Sequence, residues 1–204
     1  GRSQLRLVDS SQMAKLGRES YSKLKSEQPL SRDRAHTAYV RCVTQHILEA
    51  MGENPTQWEV NVFASQQLNA FALPGNKIGV YEGMIQLTQN QHQLATVIAH
   101  EVGHVKSHHG NERVSQSMLV SLGMSLADLS LSKDDKTSQL IFAGLGIGAQ
   151  FGVLLPFSRK HELEADLIGL RYMAKAGFDP RESVNLWKRM QARSKGSVPE
   201  FAST

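Results

Sequence analysis

Cysteine is nearly absent from this chain of 204 residues, which contains only Cys42. One thiol cannot form a disulfide within the chain, and it cannot supply the several sulfur ligands of a typical structural zinc site. Cys42 falls in a helix predicted over residues 31–51, and we expect a packed core thiol without a catalytic role. The apolar stripe of that helix is expected to include Ala35, Ala38, Cys42 and Leu48.

Long runs of like charge are also missing, so nucleic-acid binding is not expected. The chain has 23 Lys and Arg against 19 Asp and Glu, a formal net charge of +4. These residues are scattered, without a basic cluster interleaved with aromatic side chains. We interpret the charges as a solvated surface, which leaves room for a weak attraction to anionic membrane surfaces.

A long apolar run occurs at residues 140–157, LIFAGLGIGAQFGVLLPF. Its 18 residues include one polar side chain, which is near the lower limit for a membrane span. Four glycines and a terminal proline favour a close-packed helix buried between other helices. The alternative is a hairpin with residues 119–131 that touches a membrane or a partner.

The most informative stretch is His100-Glu101-Val102-Gly103-His104. Residues four apart share a helix face, so two imidazoles can bind one tetrahedral zinc ion, with Glu101 beside the position left for water. Asn90 and Gln93 have capping-box spacing and predict a helix over residues 90–109. Gly103 lowers helix propensity by about 1 kcal/mol relative to Ala, so we expect another segment to approach it closely. The alternative is an accidental histidine pair in a membrane-associated module that binds no zinc.

A third ligand is expected from Ser158-Arg-Lys-His-Glu-Leu-Glu-Ala-Asp166. This stretch begins a helix predicted over residues 158–175, with Gly177 as its left-handed terminator. Glu162 and Asp166 share one face, which suits a ligand carboxylate and a carboxylate that orients a ligand imidazole. An exposed acidic pair near a helix start is the alternative. Glu164 is expected to face solvent or neighbouring basic residues.

Three short strands are predicted before the HEVGH helix. Residues 57–63 alternate apolar and polar side chains, and residues 69–73 and 78–81 flank the turn sequence Pro74-Gly75-Asn76-Lys77. We expect a small antiparallel sheet whose exposed edge can bind an extended peptide by strand addition. The alternative is that these strands only cover the core.

Together with Asn69-Ala-Phe-Ala-Leu-Pro-Gly75, these motifs resemble the HtpX-like and CAAX-prenyl-protease-like zinc metallopeptidases. Over residues 10–195 the chain is most similar to their soluble bacterial periplasmic (BepA/LoiP-like) branch. The resemblance implies one Zn²⁺ per chain and a precursor that is lipid-anchored in some members. The roles it implies are zinc ligands at His100, His104 and Glu162, general base at Glu101, support behind the ligands at Asp166, and a substrate-binding strand edge at Asn69, Ala70, Phe71 and Ala72.

Members of that family usually continue with a His-Pro-containing segment and a later Arg, whereas this sequence ends at Pro199-Glu-Phe-Ala-Ser-Thr204. The residue that would stabilise the oxyanion is therefore unassigned. His108, His109 and His161 are available, and their spacing does not select among them.

We therefore predict an α+β fold of the minimal gluzincin type. It is a mostly helical single domain over residues 1–204, with extended tails at 1–9 and 195–204. The expected function is zinc-dependent endopeptidase action on unfolded or misassembled envelope proteins in the bacterial periplasm. The alternative is a zinc-containing, chaperone-like assembly factor with vestigial or gated proteolysis. Expected partners are polypeptide substrates, with peripheral membrane contact or an outer-membrane assembly partner left open, as is the oligomeric state.

Overall fold

The computed structural model of the chain describes residues 3–125, 145 and 158–194. Helices surround a small three-stranded sheet in this part of the chain, which confirms the predicted α+β, mostly helical fold. A 3₁₀ turn at Pro55–Gln57 precedes the first strand. In chain order the helices and strands are α1 (Ser10–Glu27), α2 (Arg34–Ala50), β1 (Glu59–Phe63), β2 (Ala70–Leu73), β3 (Lys77–Tyr81), α3 (Glu82–Leu87), α4 (Gln91–Lys106), α5 (His109–Ser125), α6 (Ser158–Lys175) and α7 (Glu182–Ser194).

The sheet is mixed, with strand order β1-β3-β2. β2 and β3 form the predicted antiparallel hairpin, and Gly75 and Asn76 in its turn both have positive φ, 85° and 63°. β1 pairs parallel to β3, so the prediction of a wholly antiparallel sheet is wrong for β1. The chain crosses from β1 to the opposite edge and returns through the centre. Side-chain alternation predicts a strand's faces, but not the direction of its neighbour.

The two faces of the sheet pack against different helices. Phe71 and Leu73 of β2 pack with Met13 and Tyr21 of α1 on one face. Ala70 and Ala72 point to the other face, where the larger core cluster contains residues of α2 and α4. The sheet therefore lies between α1 and the helix that carries HEVGH, and β2 runs beside that helix.

The buried face of α2 differs from the predicted one. Cys42 is exposed, so its assignment to the core is wrong. Val40, Val43 and Ile47 are buried instead, and Ala35 and Ala38 are exposed. The helix turns its larger apolar side chains inward because they remove more surface from water than alanine does.

Residues 3–9 form neither helix nor strand, and they pack against the start of α5. Gln4 Nε2 donates to Ser107 O at 2.7 Å, and Asn111 Nδ2 donates to Val8 O at 2.6 Å. Among the residues that the structure describes, none of the helices is both long enough and apolar enough to span a membrane. Apart from buried Leu145, the 140–157 run lies outside the described residues, as do residues 126–131 of the hairpin alternative and the tail 195–204.

Candidate metal centre

The helix that carries the HEVGH sequence begins where the sequence predicts. Asn90 caps α4, and its side chain accepts from the amides of His92 and Gln93 at 3.0 Å each. The Gln93 side chain accepts from the amide of Gln89 rather than from that of Asn90, at 3.1 Å, so the capping box is displaced by one residue. α4 ends at Lys106, three residues earlier than predicted, and His108 takes a positive φ of 57°. This break turns the chain into α5 and brings it back toward the HEVGH helix.

Close contact between α4 and α6 brings the third carboxylate to the two histidines. A Cβ added to Gly103 would lie 3.1 Å from Ala165 O, and one added to Gly169 would lie 3.0 Å from His100 N. Both neighbours are backbone atoms of the facing helix. The expectation that another segment approaches Gly103 closely is thus confirmed. α6 itself spans the predicted residues and is followed by Gly177 with a φ of 85°.

His100, His104 and Glu162 meet in one cluster, with a potential ligand atom from each lying within 4.8 Å of the others. The two Nε2 atoms are 3.0 Å apart. Glu162 places one oxygen 3.1 Å from His100 Nε2 and the other 3.5 Å from His104 Nε2. In a zinc tetrahedron with ordinary bond lengths, ligand atoms are separated by about 3.3 Å. The donor set and spacing therefore fit a zinc ion.

The charges around His100 favour a cation at this point. Burial opposes charge on His100, but hydrogen bonds with Asp166 and Glu162 outweigh it and raise the pKa of His100 to about 10. Burial also opposes charge on Glu162 and so raises the pKa of its carboxyl. Both histidines act against burial and hold that pKa far below its usual range. His100 Nδ1 donates to Asp166 Oδ1 at 2.8 Å, so the orienting contact proposed for Asp166 is present in the structure.

Glu101 lies beside this cluster and next to strand β2. Burial and the charge of Glu162 raise the pKa of Glu101 to about 7, although His100, Arg113 and the backbone amide of Ala72 lower it. A carboxyl group with a pKa near neutrality can take up and release a proton at physiological pH.

A second group of polar side chains lies behind the cluster, and sequence spacing did not reveal it. His104 Nδ1 is 2.8 Å from His109 Nδ1, and His109 Nε2 is 3.1 Å from Glu164 Oε2. Glu164 is partly exposed, as expected, but it also contacts His109, which the sequence did not predict. Glu164 points away from Glu162 because the two residues are two positions apart on one helix. On that side it meets His109, at the start of α5.

The remaining candidate histidines occupy different surroundings. His161 is buried, pairs with Glu112 at 3.1 Å, and stacks on His109 with ring centroids 4.3 Å apart. His108 is exposed and lines a cavity of about 160 Å³ next to His104. The structure thus places His109 behind the ring of His104 and His161 against His109, and the oxyanion stabiliser stays unassigned.

β2 is an outer strand of the sheet and offers backbone groups at its free edge. Tyr81 N donates to Asn69 O at 3.0 Å. Alternate residues of an antiparallel pair direct their backbone groups at the partner strand, so Asn69 and Phe71 face β3. The backbone groups of Ala70 and Ala72 consequently point to the free edge. Ala72 also lines the cavity next to His104, so this edge lies beside the cluster.

The comparisons with known proteins point to one family. The model of Peptidase family M48 matches residues 34–204. The mitochondrial metalloendopeptidase OMA1 of Schizosaccharomyces pombe is 39% identical over 170 residues, which are 82% of this chain and 48% of that protein. The beta-barrel assembly-enhancing protease of Escherichia coli is 25% identical over 187 residues, 89% of this chain and 38% of that protein. The chain thus spans about half, or less, of the length of these relatives.

Proposed function

We infer the function of this chain from one premise: it belongs to peptidase family M48, whose members are zinc-dependent. The proposal is that it is a zinc metalloendopeptidase, with His100, His104 and Glu162 as ligands of one zinc ion per chain. The observation that carries it is the meeting of two imidazole nitrogens and a carboxylate at tetrahedral spacing. Glu101, the neighbour of the first ligand, is then the general base.

Zinc, when bound, supplies Lewis acidity that polarises the scissile carbonyl and makes a water nucleophilic near neutral pH. The Glu101 carboxylate takes a proton from the attacking water and later delivers it to the nitrogen of the leaving amine. Asp166 holds the ring of His100 through its Nδ1–H, which keeps the other nitrogen of that ring available as a ligand. Burial raises the pKa of Glu101 to about 7, which suits a group that first accepts and then releases a proton.

We propose that the substrate lies extended along the free edge of β2. The backbone groups of Ala70 and Ala72 face that edge, and the proposal is supported by Ala72 lining the same cavity as His104 and hydrogen-bonding Glu101. In strand addition the affinity comes from main-chain hydrogen bonds, which any extended peptide can form. It therefore favours unfolded or misassembled polypeptides, whose backbones are free to extend, as substrates.

The cellular compartment is proposed from family resemblance alone. A periplasmic location was expected from family resemblance, yet the matched relatives include mitochondrial proteases at higher identity than the E. coli protease. Membership of the bacterial periplasmic branch, a lipid anchor and an envelope assembly partner are therefore proposals that rest on resemblance.

A cleavage assay with matched substrates tests the proposed function. The chain, loaded with zinc, is incubated with an unfolded protein and with the same protein in its folded form. We expect chelator-sensitive cleavage of the unfolded form at internal peptide bonds, restored by added zinc. Binding of the unfolded form without cleavage by the zinc-loaded chain would contradict the proposal and favour the chaperone-like alternative.

A further inference from the structure

Behind His104, on the side away from Glu162, lie an imidazole and a carboxylate in series. His104 Nδ1 and His109 Nδ1 are 2.8 Å apart, and His109 Nε2 is 3.1 Å from Glu164 Oε2. The side chain of His109 is fully buried, whereas that of Glu164 is 34% exposed. The three groups form a hydrogen-bonded chain, here called the rear relay, that runs from the candidate ligand toward the surface.

The proton positions in the rear relay follow from its chemistry. An ionised carboxylate can only accept, so the proton on the far side of His109 must sit on Nε2. A neutral imidazole has one donor and one acceptor nitrogen, which makes His109 Nδ1 the acceptor. Two nitrogens 2.8 Å apart share one proton, and here His104 Nδ1 must carry it. His104 Nε2 is then unprotonated and faces Glu162 and His100.

The fold holds the middle member of this chain in place. The positive φ of His108 reverses the chain after α4, so that His109 returns to His104 only five residues later. His161 stacks on the ring of His109 at an interplanar angle of 17° and is itself bound to Glu112. The ring of His109 can therefore neither tilt nor exchange its two nitrogens without breaking these contacts.

We propose that His109 and Glu164 are positioning residues that fix the tautomer and orientation of His104 as a metal ligand. The inference rests on the proposed function, since it takes zinc as the partner of His104 Nε2. It gives His104 the support that Asp166 gives His100, with an imidazole inserted between ligand and carboxylate. Losses of support behind a ligand typically weaken metal binding about 10–100-fold, and we expect that range here.

Two pairs of variants separate the relay from simple packing. In His109→Leu the acceptor for His104 Nδ1–H is lost, whereas in His109→Gln a carboxamide oxygen can replace it. In Glu164→Ala the outer acceptor is lost, whereas Glu164→Gln keeps an oxygen that can accept from His109 Nε2–H. The two Glu164 variants test the same relay at a partly exposed position, where a substitution disturbs folding less than at buried His109. His46→Leu is the matched control, because His46 is exposed and its ring contacts Cys42 O and Phe178 rather than any member of the rear relay.

The readouts are zinc affinity by chelator competition and the tautomer of His104 by long-range ¹H–¹⁵N correlation in the zinc-loaded chain. We expect a proton on His104 Nδ1 in the wild type and zinc affinity about 10–100-fold weaker in His109→Leu and Glu164→Ala. The Gln variants should recover most of that loss, and His46→Leu should match the wild type. Unchanged affinity in folded Glu164→Ala, or coordination through His104 Nδ1, would overturn the relay while leaving the proposed function standing. A wild type that binds no zinc would instead overturn the proposed function itself.

Discussion

The proposed roles of His100 as ligand and Glu101 as base fall on adjacent residues. Consecutive helix residues point about 100° apart, so one side chain can enter the cluster while the next lies at its rim. In this chain His100 is buried, and Glu101 is half-buried beside β2. The two roles therefore respond differently to substitution.

For Glu101→Gln we expect zinc binding to persist and peptide cleavage to fall about 10²–10⁴-fold, the usual contribution of a general acid–base group. The amide keeps the size of the side chain but cannot accept the water's proton. Zinc content and cleavage rate, measured on one preparation, check this. A Glu101→Gln chain that holds zinc and cleaves at the wild-type rate would remove Glu101 from the mechanism.

At the scale of secondary-structure elements, the contact between α4 and α6 determines whether the ligands meet. Gly103 and Gly169 let the two backbones approach, and Glu162 reaches both histidines only because they do. A side chain at either position would force the facing backbone to shift by a few tenths of an ångström.

In Gly169→Ala the new Cβ would lie 3.0 Å from His100 N and 3.2 Å from two further backbone atoms. We expect the free energy of unfolding to fall by about 1–3 kcal/mol through overpacking, in spite of a gain of about 1 kcal/mol in helix propensity. Zinc affinity should fall with it. Denaturant unfolding measures the first effect and chelator competition the second.

Gly110→Ala is the matched control for that substitution. Its Cβ would meet Leu145 at 3.6 Å, an ordinary contact distance, so stability should not fall. Equal effects of the two substitutions would contradict a specific role for the contact between α4 and α6.

A second link between elements joins α1, β1 and β3 through charge. Glu59 pairs with Lys25 of α1 and, at 3.0 Å, with Lys77 of β3. Burial raises the pKa of the Glu59 carboxyl, but the two lysines outweigh burial and lower that pKa below its usual value of 4.5. The ionised form is therefore favoured in the folded state. Its stabilisation is present above pH 4.5 and is lost as the pH falls through the lowered pKa.

Glu59→Gln should accordingly reduce the free energy of unfolding at pH 7 by about 0.2–1 kcal/mol, because the side chain is partly exposed and screened. The difference from wild type should vanish well below pH 4.5. Urea unfolding at the two pH values, with a chelator present, checks the prediction. Glu19→Gln, at an exposed ion pair within α1, should show neither effect. A difference that persists at low pH would mean that packing, rather than charge, is lost.

The sequence allowed prediction of whatever depends on neighbours along the chain. The cap of α4 at Asn90, the bounds of α6 and the clustering of Glu162 with His100 and His104 follow from spacing within a helix and from the known demands of zinc. The outward face of Cys42 follows from the helical spacing of the larger apolar residues Val40, Val43 and Ile47, and that spacing would have predicted it. The parallel placement of β1 and the contact of Glu164 with His109 depend on contacts distant in sequence or on the break at His108. Periodicity carries no information about these.

At the scale of the whole molecule, the cluster joins two helices that are far apart in sequence. His100 and His104 come from α4, and Glu162 comes from α6. A metal held by both helices would bind only the folded chain, and its binding free energy would add to stability.

Thermal unfolding should therefore depend on zinc. With free zinc at about 100 times its dissociation constant, the added stability is about 2.7 kcal/mol. For a domain of this size that corresponds to a rise in Tm of about 5–10 °C. Calorimetry with zinc and with chelator measures the shift. Zinc should not raise the Tm of Glu162→Ala, and an equal shift in that variant would place the ion elsewhere.

Metal analysis of the purified wild-type chain beside Glu162→Ala is the sharpest test of the three-residue zinc site. We expect one zinc per wild-type chain and its loss, or sharply weakened retention, in the variant. Absence of zinc from the wild type after reconstitution, or full retention by Glu162→Ala, would contradict a site built from His100, His104 and Glu162.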